Sequence, residues 1–241
     1  VEEVKESSHK GDPEELQKTL RGEVEQLFPV PDDAARGYFE KMQTLSSQVD
    51  ESILQRSNVG ELIGSCPVDV ITANHRNHAR FMGTVFQLNL PSLLPPVIPW
   101  AYRVYMARGV SPRYFIEELE AWREGIRRNL KPENAAPISR VYEWMIKKHE
   151  DMKSLSREVI YPREIEWNEE LEALLSCFLE CGSRKARAKV QESVSGIEDL
   201  SGLYIDRIQP IMYRLGSMWA NGEINVAQEH MVTAIVGRIM A

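Results

Sequence analysis

The residues best suited to holding a ligand are Trp219, Glu229 and His230, with nine residues between the tryptophan and the acidic–imidazole pair. At helical spacing, His230 shares a face with three small residues, Val226, Ala234 and Gly237. A flat, bulky ligand needs such a face in order to approach a helix closely. The spacing therefore predicts a ligand-facing surface. The alternative is a buried histidine hydrogen-bonded inside a helix bundle, with Trp219 as an ordinary core residue.

The helix that carries this pair has a defined predicted start. Asn225 and Gln228 have the spacing of a capping box, which predicts that the helix begins at about Val226. The preceding Asn221-Gly222 pair contains two turn formers. Glu229 then falls in the first or second turn, where the helix dipole favours a carboxylate.

This Trp-x9-Glu-His pattern resembles the helical cap domain of cobalamin-dependent light sensors and regulators. The segment 203–216, LYIDRIQPIMYRLG, is also similar to the family's helix that leads into the tryptophan. The resemblance covers roughly residues 165–241. It implies that Trp219, Glu229 and His230 lie over the upper face of a corrin and its axial ligand.

The resemblance concerns only half of a cobalamin site. Proteins of this group usually continue into a doubly wound α/β domain whose Asp-x-His-x-x-Gly histidine ligates cobalt from below, and the sequence ending at Ala241 contains no such motif. We expect either a fragment or a relative that has lost this half. An adenosyl-type cobalamin would need the absent domain, so tight binding by this chain alone is not expected.

A second group of candidate ligand-binding residues lies in the N-terminal half. One stripe at helical spacing contains both neighbouring histidines: Ile71, His75, His78, Met82 and Val85. Arg76 and Arg80 share an adjacent face. Two imidazoles and two guanidinium groups suit a ligand with carboxylates and pyrrole nitrogens, because both side chains can hydrogen-bond a carboxylate.

Several alternatives remain for these histidines. A globin-like fold with an inward histidine could ligate haem iron. The pair His75 and His78 could contribute two metal ligands, although the sequence shows no third ligand nearby. The histidines could also be satisfied within a core or at a dimer interface.

The N-terminal half is similar to phycobiliproteins and their bilin-associated globin relatives over about residues 30–150. Residues 80–94 align with their helix after the chromophore attachment site, and the segment 105–112, YMARGVSP, matches their Tyr…Gly-x-Pro helix ending to within one residue. The attachment cysteine of that family would fall near Ile71, and its ring-binding aspartate near Asn74. Because no cysteine stands at the attachment position, a thioether bond cannot form there. The resemblance therefore implies a non-covalent bilin such as biliverdin, contacted by His75, Arg76, His78 and Arg80.

Composition limits the classes of function. The net charge of −7 argues against direct nucleic-acid binding by this chain. No run of about 18 apolar residues occurs, so no membrane span is predicted. The polar N-terminus does not resemble a secretory signal, and three cysteines, Cys66, Cys177 and Cys181, favour buried thiols in a reducing cytoplasm.

Apolar residues recur with a helical period along almost the whole chain, which predicts an all-α protein. The predicted helices cover about 13–28, 32–56, 68–88, 92–108, 112–129, 135–158, 166–181, 185–195, 199–219 and 226–241. Proline and glycine fall between them. We expect an N-terminal helical extension over 1–29, a globin-like sensory domain over 30–160 and a four-helix cap bundle over 161–241, with the boundary near Pro162.

Three functional hypotheses follow. The first is a cytoplasmic, tetrapyrrole-binding sensory or photoreceptor protein that binds cobalamin, a bilin or both. It would signal by a ligand-linked conformational change, as a homo-oligomer or to a downstream protein. The second is a corrinoid component of a methyltransferase system, and the third is a structural interaction module with a decayed ligand site. No Ser-His-Asp, Cys-His or paired-carboxylate arrangement indicates catalysis by this chain alone.

Overall fold

Every regular element in the described part of the chain is helical. The computed structural model describes residues 12–157, 167–180, 185, 188–191, 196 and 200–240, and no strand occurs among them. The prediction of an all-α fold is confirmed. The described residues divide into two compact units, with the division between residues 158 and 159. The predicted boundary at Pro162 lies outside the described residues, as do Cys181 and most of the predicted helix over 185–195.

The N-terminal unit contains eight helices in its described part. They are α1 (Pro13–Glu25), α2 (Asp32–Leu54), α3 (Val59–Ile63), α4 (Val68–Gln87), α5 (Leu94–Met106), α6 (Pro112–Asn129), α7 (Pro132–Lys147) and α8 (His149–Leu155), with a 3-10 turn over Pro91–Leu93 before α5. The helical period of apolar residues did not predict the short α3, and it predicted α7 and α8 as one helix. The globin-like description of this unit stays a prediction.

Local sequence explains where several of these helices begin. The Asp12 carboxylate accepts a hydrogen bond from the backbone N–H of Glu14, and the Ser111 hydroxyl accepts one from that of Arg113. A proline occupies the first position of both helices, α1 and α6, where its missing N–H costs no helical hydrogen bond. These caps and prolines fix the N-terminal ends of α1 and α6.

Helix α2 lies at the centre of the N-terminal unit and packs against α4, α6 and α7. The interior holds several fully buried large rings: Tyr38, Phe86, Tyr114, Trp122 and Tyr142. Gly83 of α4 faces Met42 of α2, and a Cβ at this position would lie 2.8 Å from Met42 Sδ.

Two loops of the N-terminal unit meet at a pair of glycines. Gly64 follows α3 with a φ of 55°, and Gly109 precedes α6 with a φ of 88°. A Cβ on Gly64 would lie 2.2 Å from the carbonyl oxygen of Gly109. The backbone N–H of Ser111 donates to the carbonyl of Leu62 over 2.8 Å, which holds the loops together. Glycine is required at position 64 for both its backbone angle and the space.

The C-terminal unit is built in its described part from α9 (Glu169–Glu180), α10 (Gln209–Ala220) and α11 (Val226–Met240). A short α-helical turn over Leu200–Gly202 and a π-helical turn over Leu203–Ile208 lead directly into α10. The three helices pack against one another around a separate apolar core that includes Phe178, which is fully buried. None of the described helices of either unit has the length and hydropathy needed to span a membrane.

Candidate functional site

The capping box before α11 forms as predicted. The backbone N–H of Gln228 donates to Asn225 Oδ1 over 2.9 Å, and the backbone N–H of Asn225 donates to Gln228 Oε1 over 3.0 Å. The helix begins at Val226. These reciprocal bonds satisfy two backbone N–H groups that the helix itself leaves without a partner, and they fix where α11 starts.

One side of α11 is open. The side chain of His230 is 76 % exposed, and Val226, Ala234 and Gly237 on the same face are exposed as well. A Cβ added to Gly237 would meet no described atom within 4 Å. The opposite side of the helix carries the buried residues Val232, Ile235 and Val236. The alternative of a buried His230 is therefore wrong. At Gly237, no described side chain of another helix covers the small-residue face.

Glu229 holds the exposed imidazole of His230 through a hydrogen bond. One carboxylate oxygen, Oε1, accepts a hydrogen bond from the Thr233 hydroxyl over 2.7 Å, while Oε2 is bonded to Nδ1 of His230. The Glu229 side chain is only 24 % exposed. When Nδ1 carries the proton of this bond, Nε2 of His230 is left with a lone pair for a ligand. Sequence reasoning missed Thr233, although its spacing of four residues from Glu229 is a usable signal.

Trp219 lies in the last turn of α10, the helix before α11. Its ring is half-buried and packs against the core of the C-terminal unit. Helix α10 packs against α11, so both helices belong to one bundle. That Trp219 and His230 converge on one ligand surface stays a prediction.

His75 is fully enclosed in the N-terminal unit. Its Nδ1 lies 2.5 Å from Asp50 Oδ1, and its Nε2 lies 2.7 Å from the hydroxyl of Tyr114. Its side chain has no solvent-accessible surface. Both ring nitrogens therefore have protein partners, which is the arrangement expected of a histidine satisfied within a core.

His78 also points inward. Its Nε2 lies 3.0 Å from the hydroxyl of Tyr142, and its ring stacks on that of Trp122 at a centroid distance of 4.9 Å. Part of its surface lines a cavity. The predicted inward stripe is thus confirmed, because Ile71, His75, Met82 and Val85 are all fully buried.

Arg76 and Arg80 lie on the exposed side of α4. Neither residue lines the cavity that His78 borders. The structure therefore brings the two histidines together in the interior and places the two arginines outside. A ligand held by all four side chains stays a prediction that these positions do not favour.

Glu118 is a buried carboxyl that sequence reasoning did not single out. It is 4 % exposed, and its Oε1 accepts hydrogen bonds from Trp122 Nε1 over 3.3 Å and from Asn74 Nδ2 over 3.4 Å. Burial raises the pKa of this carboxyl, and the nearby His75 opposes the rise. The sequence signal for a buried carboxyl was the charged Glu118 on the same helical face as Tyr114 and Trp122, four residues from each.

We expect protonation of His78 to destabilise the N-terminal unit. Burial, and secondarily the nearby His75, lowers the pKa of His78 from 6.5 to about 3. As pH falls from 6.5 towards 3, the unfolded chain binds a proton that the folded chain excludes. This group alone should lower the free energy of unfolding by up to about 1.4 kcal/mol per pH unit. Above pH 6.5 its contribution is fully present and constant.

Urea unfolding of the wild type and His78→Gln between pH 4 and 7 measures this effect. The variant should show the shallower loss of stability at acid pH. The opposing contribution of Glu118 is largely common to both proteins. Parallel stability profiles would contradict the assignment to His78.

The comparison with known families concerns the C-terminal segment. Residues 170–241 match the family described as B12 binding domain. This segment is less than a third of the chain. The match supports the predicted cobalamin-type cap and does not distinguish sensors from corrinoid proteins of methyl transfer. Neither a curated protein nor a solved structure matches this chain. In the described ranges, no cluster of three or more His, Cys, Asp or Glu suits a metal ion.

Proposed function

We propose that the C-terminal unit covers one face of a cobalamin and that the exposed side of α11 is its contact surface. The observation that carries this proposal is the open small-residue face around His230, within a segment that matches the B12 binding domain family. Val226, Ala234 and Gly237 admit a flat ligand, and His230 supplies a ring nitrogen beside it.

The residues present fit such a ligand. Gly237 leaves space at the helix surface, and Thr233 and Glu229 hold the imidazole of His230 through a chain of hydrogen bonds. Trp219 supplies aromatic surface from the neighbouring helix. The chemistry that an adenosyl-type cobalamin supplies when bound is radical chemistry at its cobalt centre. The role of this chain's own residues is to shield that face from water and to orient His230.

We further propose that the protein is a sensor rather than a carrier of methyl groups. An upper corrin face that the protein occupies suits a sensor, whereas methyl transfer requires that face to stay open to a substrate. The aromatic ring of Trp219 and the anchored His230 suit an occupied face. The output would be a change in the contacts of this unit with a second copy or a downstream protein.

The contact can be tested on the chain as it exists, even if binding is weak. The protein has five tryptophans, and uniform labelling with fluorotryptophan gives each a fluorine resonance, with Trp219 assigned from Trp219→Phe. Titration with adenosylcobalamin in the dark should shift the Trp219 resonance saturably. The resonances of Trp122 and Trp144, in the core of the N-terminal unit, should stay in place.

His230→Ala should reduce the apparent affinity by about tenfold, the loss of roughly 1.4 kcal/mol expected for a well-placed contact to a ring nitrogen. Met231→Ala is the matched control, because Met231 is exposed on α11 but lies outside the small-residue face. Equal affinities for the wild type and His230→Ala would reject the contact surface. Illumination of the bound sample then tests the sensory part separately.

The bilin part of the hypothesis depends on the sequence resemblance. Its four expected contacts are divided by the fold, with His75 and His78 inside and Arg76 and Arg80 outside. Titration of the chain with biliverdin tests it. A shifted and sharpened red absorption band that weakens in the His75→Ala, His78→Ala double variant, with the circular dichroism spectrum unchanged, would support non-covalent bilin binding. Equal binding by the double variant would show that both histidines are core residues.

A further inference from the structure

The N-terminal unit contains a cavity of about 230 Å³ between α4, α5, α6 and α7. Its walls are mostly apolar or aromatic: Phe81, Met82, Ile98, Tyr102, Phe115 and Leu119. An apolar cavity of about 150 Å³ can hold one benzene molecule. The space is therefore sufficient for a single substituted ring, and smaller than the roughly 300–1,000 Å³ of sites for drug-sized ligands.

One end of the cavity is polar. Asn74, His78 and Glu118 contribute to its lining. Asn74 and Trp122 donate hydrogen bonds to the same oxygen of Glu118, and Nε2 of His75 lies 3.9 Å from that oxygen. The cavity thus places a held carboxyl at the end of an otherwise apolar space. This is the usual composition of a small-molecule site, in which a few polar groups fix the ligand's orientation.

The charges around the cavity exclude one class of ligand. No lysine or arginine is among the described residues that line it. Burial keeps His78 neutral at physiological pH, because its pKa is lowered to about 3. A carboxylate or phosphate inside would therefore be desolvated without a cationic partner, which is strongly unfavourable. An uncharged ligand avoids this cost.

We propose that this cavity binds a small uncharged aromatic molecule whose hydroxyl or N–H group donates a hydrogen bond to Glu118. Phe115 and Leu119 contact the ring, and Asn74 and Trp122 orient the accepting carboxyl. The site belongs to the N-terminal unit alone. It is independent of the cobalamin surface, so each proposal can fail without the other.

The probe for this site is p-cresol, with 4-methylbenzoate as its charged counterpart of similar skeleton. Isothermal titration of the full chain, without cobalamin, should give saturable binding of one p-cresol per chain. Binding of 4-methylbenzoate should be at least about tenfold weaker, because the carboxylate has no cationic partner. Equal affinities for the two probes would overturn the proposal, as would the lack of saturable p-cresol binding to folded protein.

Two variants locate the bound probe. Ala101 lines the cavity, so Ala101→Leu should fill part of the space and weaken p-cresol binding by at least about tenfold. Ala107→Leu places the same side chain at an exposed position just after α5 and should leave the affinity unchanged. Unchanged binding in Ala101→Leu, with a native circular dichroism spectrum, would place the probe elsewhere and reject the cavity.

Glu118→Gln tests the hydrogen bond. It should weaken p-cresol binding by about tenfold and leave the binding of toluene, which has no donor, nearly unchanged. Equal losses for both probes would contradict a hydrogen bond to Glu118. If this variant does not fold, the Ala101→Leu comparison still decides the proposal. Displacement of p-cresol by biliverdin at one-to-one stoichiometry would contradict the size limit.

Discussion

Replacing Phe178 by alanine is expected to lower the free energy of unfolding of the C-terminal unit by about 3–5 kcal/mol. The side chain lies on α9, has no accessible surface and packs within the core of the C-terminal unit. Its removal loses the transfer free energy of a ring and leaves a cavity. This is a large fraction of the stability of a small domain.

Urea unfolding followed by circular dichroism measures this loss. The two units are expected to unfold in separate transitions, and the loss is expected in the transition of the C-terminal unit. Met231→Ala is the control, because it also removes a large apolar side chain but from an exposed site on α11. A loss below about 1 kcal/mol in Phe178→Ala would show that this core is not packed as described.

Gly64→Ala is expected to destabilise the N-terminal unit by about 3 kcal/mol or more. The new Cβ would lie 2.2 Å from the carbonyl oxygen of Gly109, so the two loops must separate. The φ of 55° at position 64 adds the strain of a left-handed backbone. Strain of this kind costs about 1–3 kcal/mol, and overpacking costs a similar amount.

Gly60→Ala is the matched control for this change. Gly60 lies in α3, four residues earlier, and its Cβ would meet no described atom within 4 Å. Its substitution should change the free energy of unfolding by no more than about 1 kcal/mol and towards greater stability. Similar losses in both variants would contradict the close approach of the loops at Gly64 and Gly109.

Patterns that depend on local spacing were predictable from the sequence. The three- and four-residue spacing of the apolar stripe predicted that His75 and His78 lie on the inner face of α4. The capping box at Asn225 predicted that α11 begins at Val226. Both follow from the geometry of one helix. The same geometry would have revealed the bond between Thr233 and Glu229.

Contacts between distant parts of the chain were not predictable in this way. The partners of His75 are Asp50 on α2 and Tyr114 on α6, and no local spacing brings them together. The helical period of the sequence therefore could not predict that both ring nitrogens of His75 have hydrogen-bond partners. It also could not predict that Arg76 lies outside the cavity, because the position of the cavity depends on how several helices pack.

In the proposed function, the small-residue face of α11 must stay open for a cobalamin to bind. Gly237→Leu would cover this face, and the added side chain meets no described neighbour at its Cβ. In a helix interior, leucine should raise the stability of the unit by about 0.5–1 kcal/mol relative to glycine. The variant therefore separates loss of a binding surface from loss of folding.

The decisive measurement is the affinity for adenosylcobalamin, read from the Trp219 fluorine resonance in the wild type, Gly237→Leu and Gly22→Leu. Gly22 lies on an exposed site of α1 in the N-terminal unit, where a Cβ also meets no described atom within 4 Å. We predict that Gly237→Leu weakens binding by at least about tenfold and that Gly22→Leu leaves it unchanged. An unchanged affinity in a folded Gly237→Leu protein would contradict the proposed contact surface.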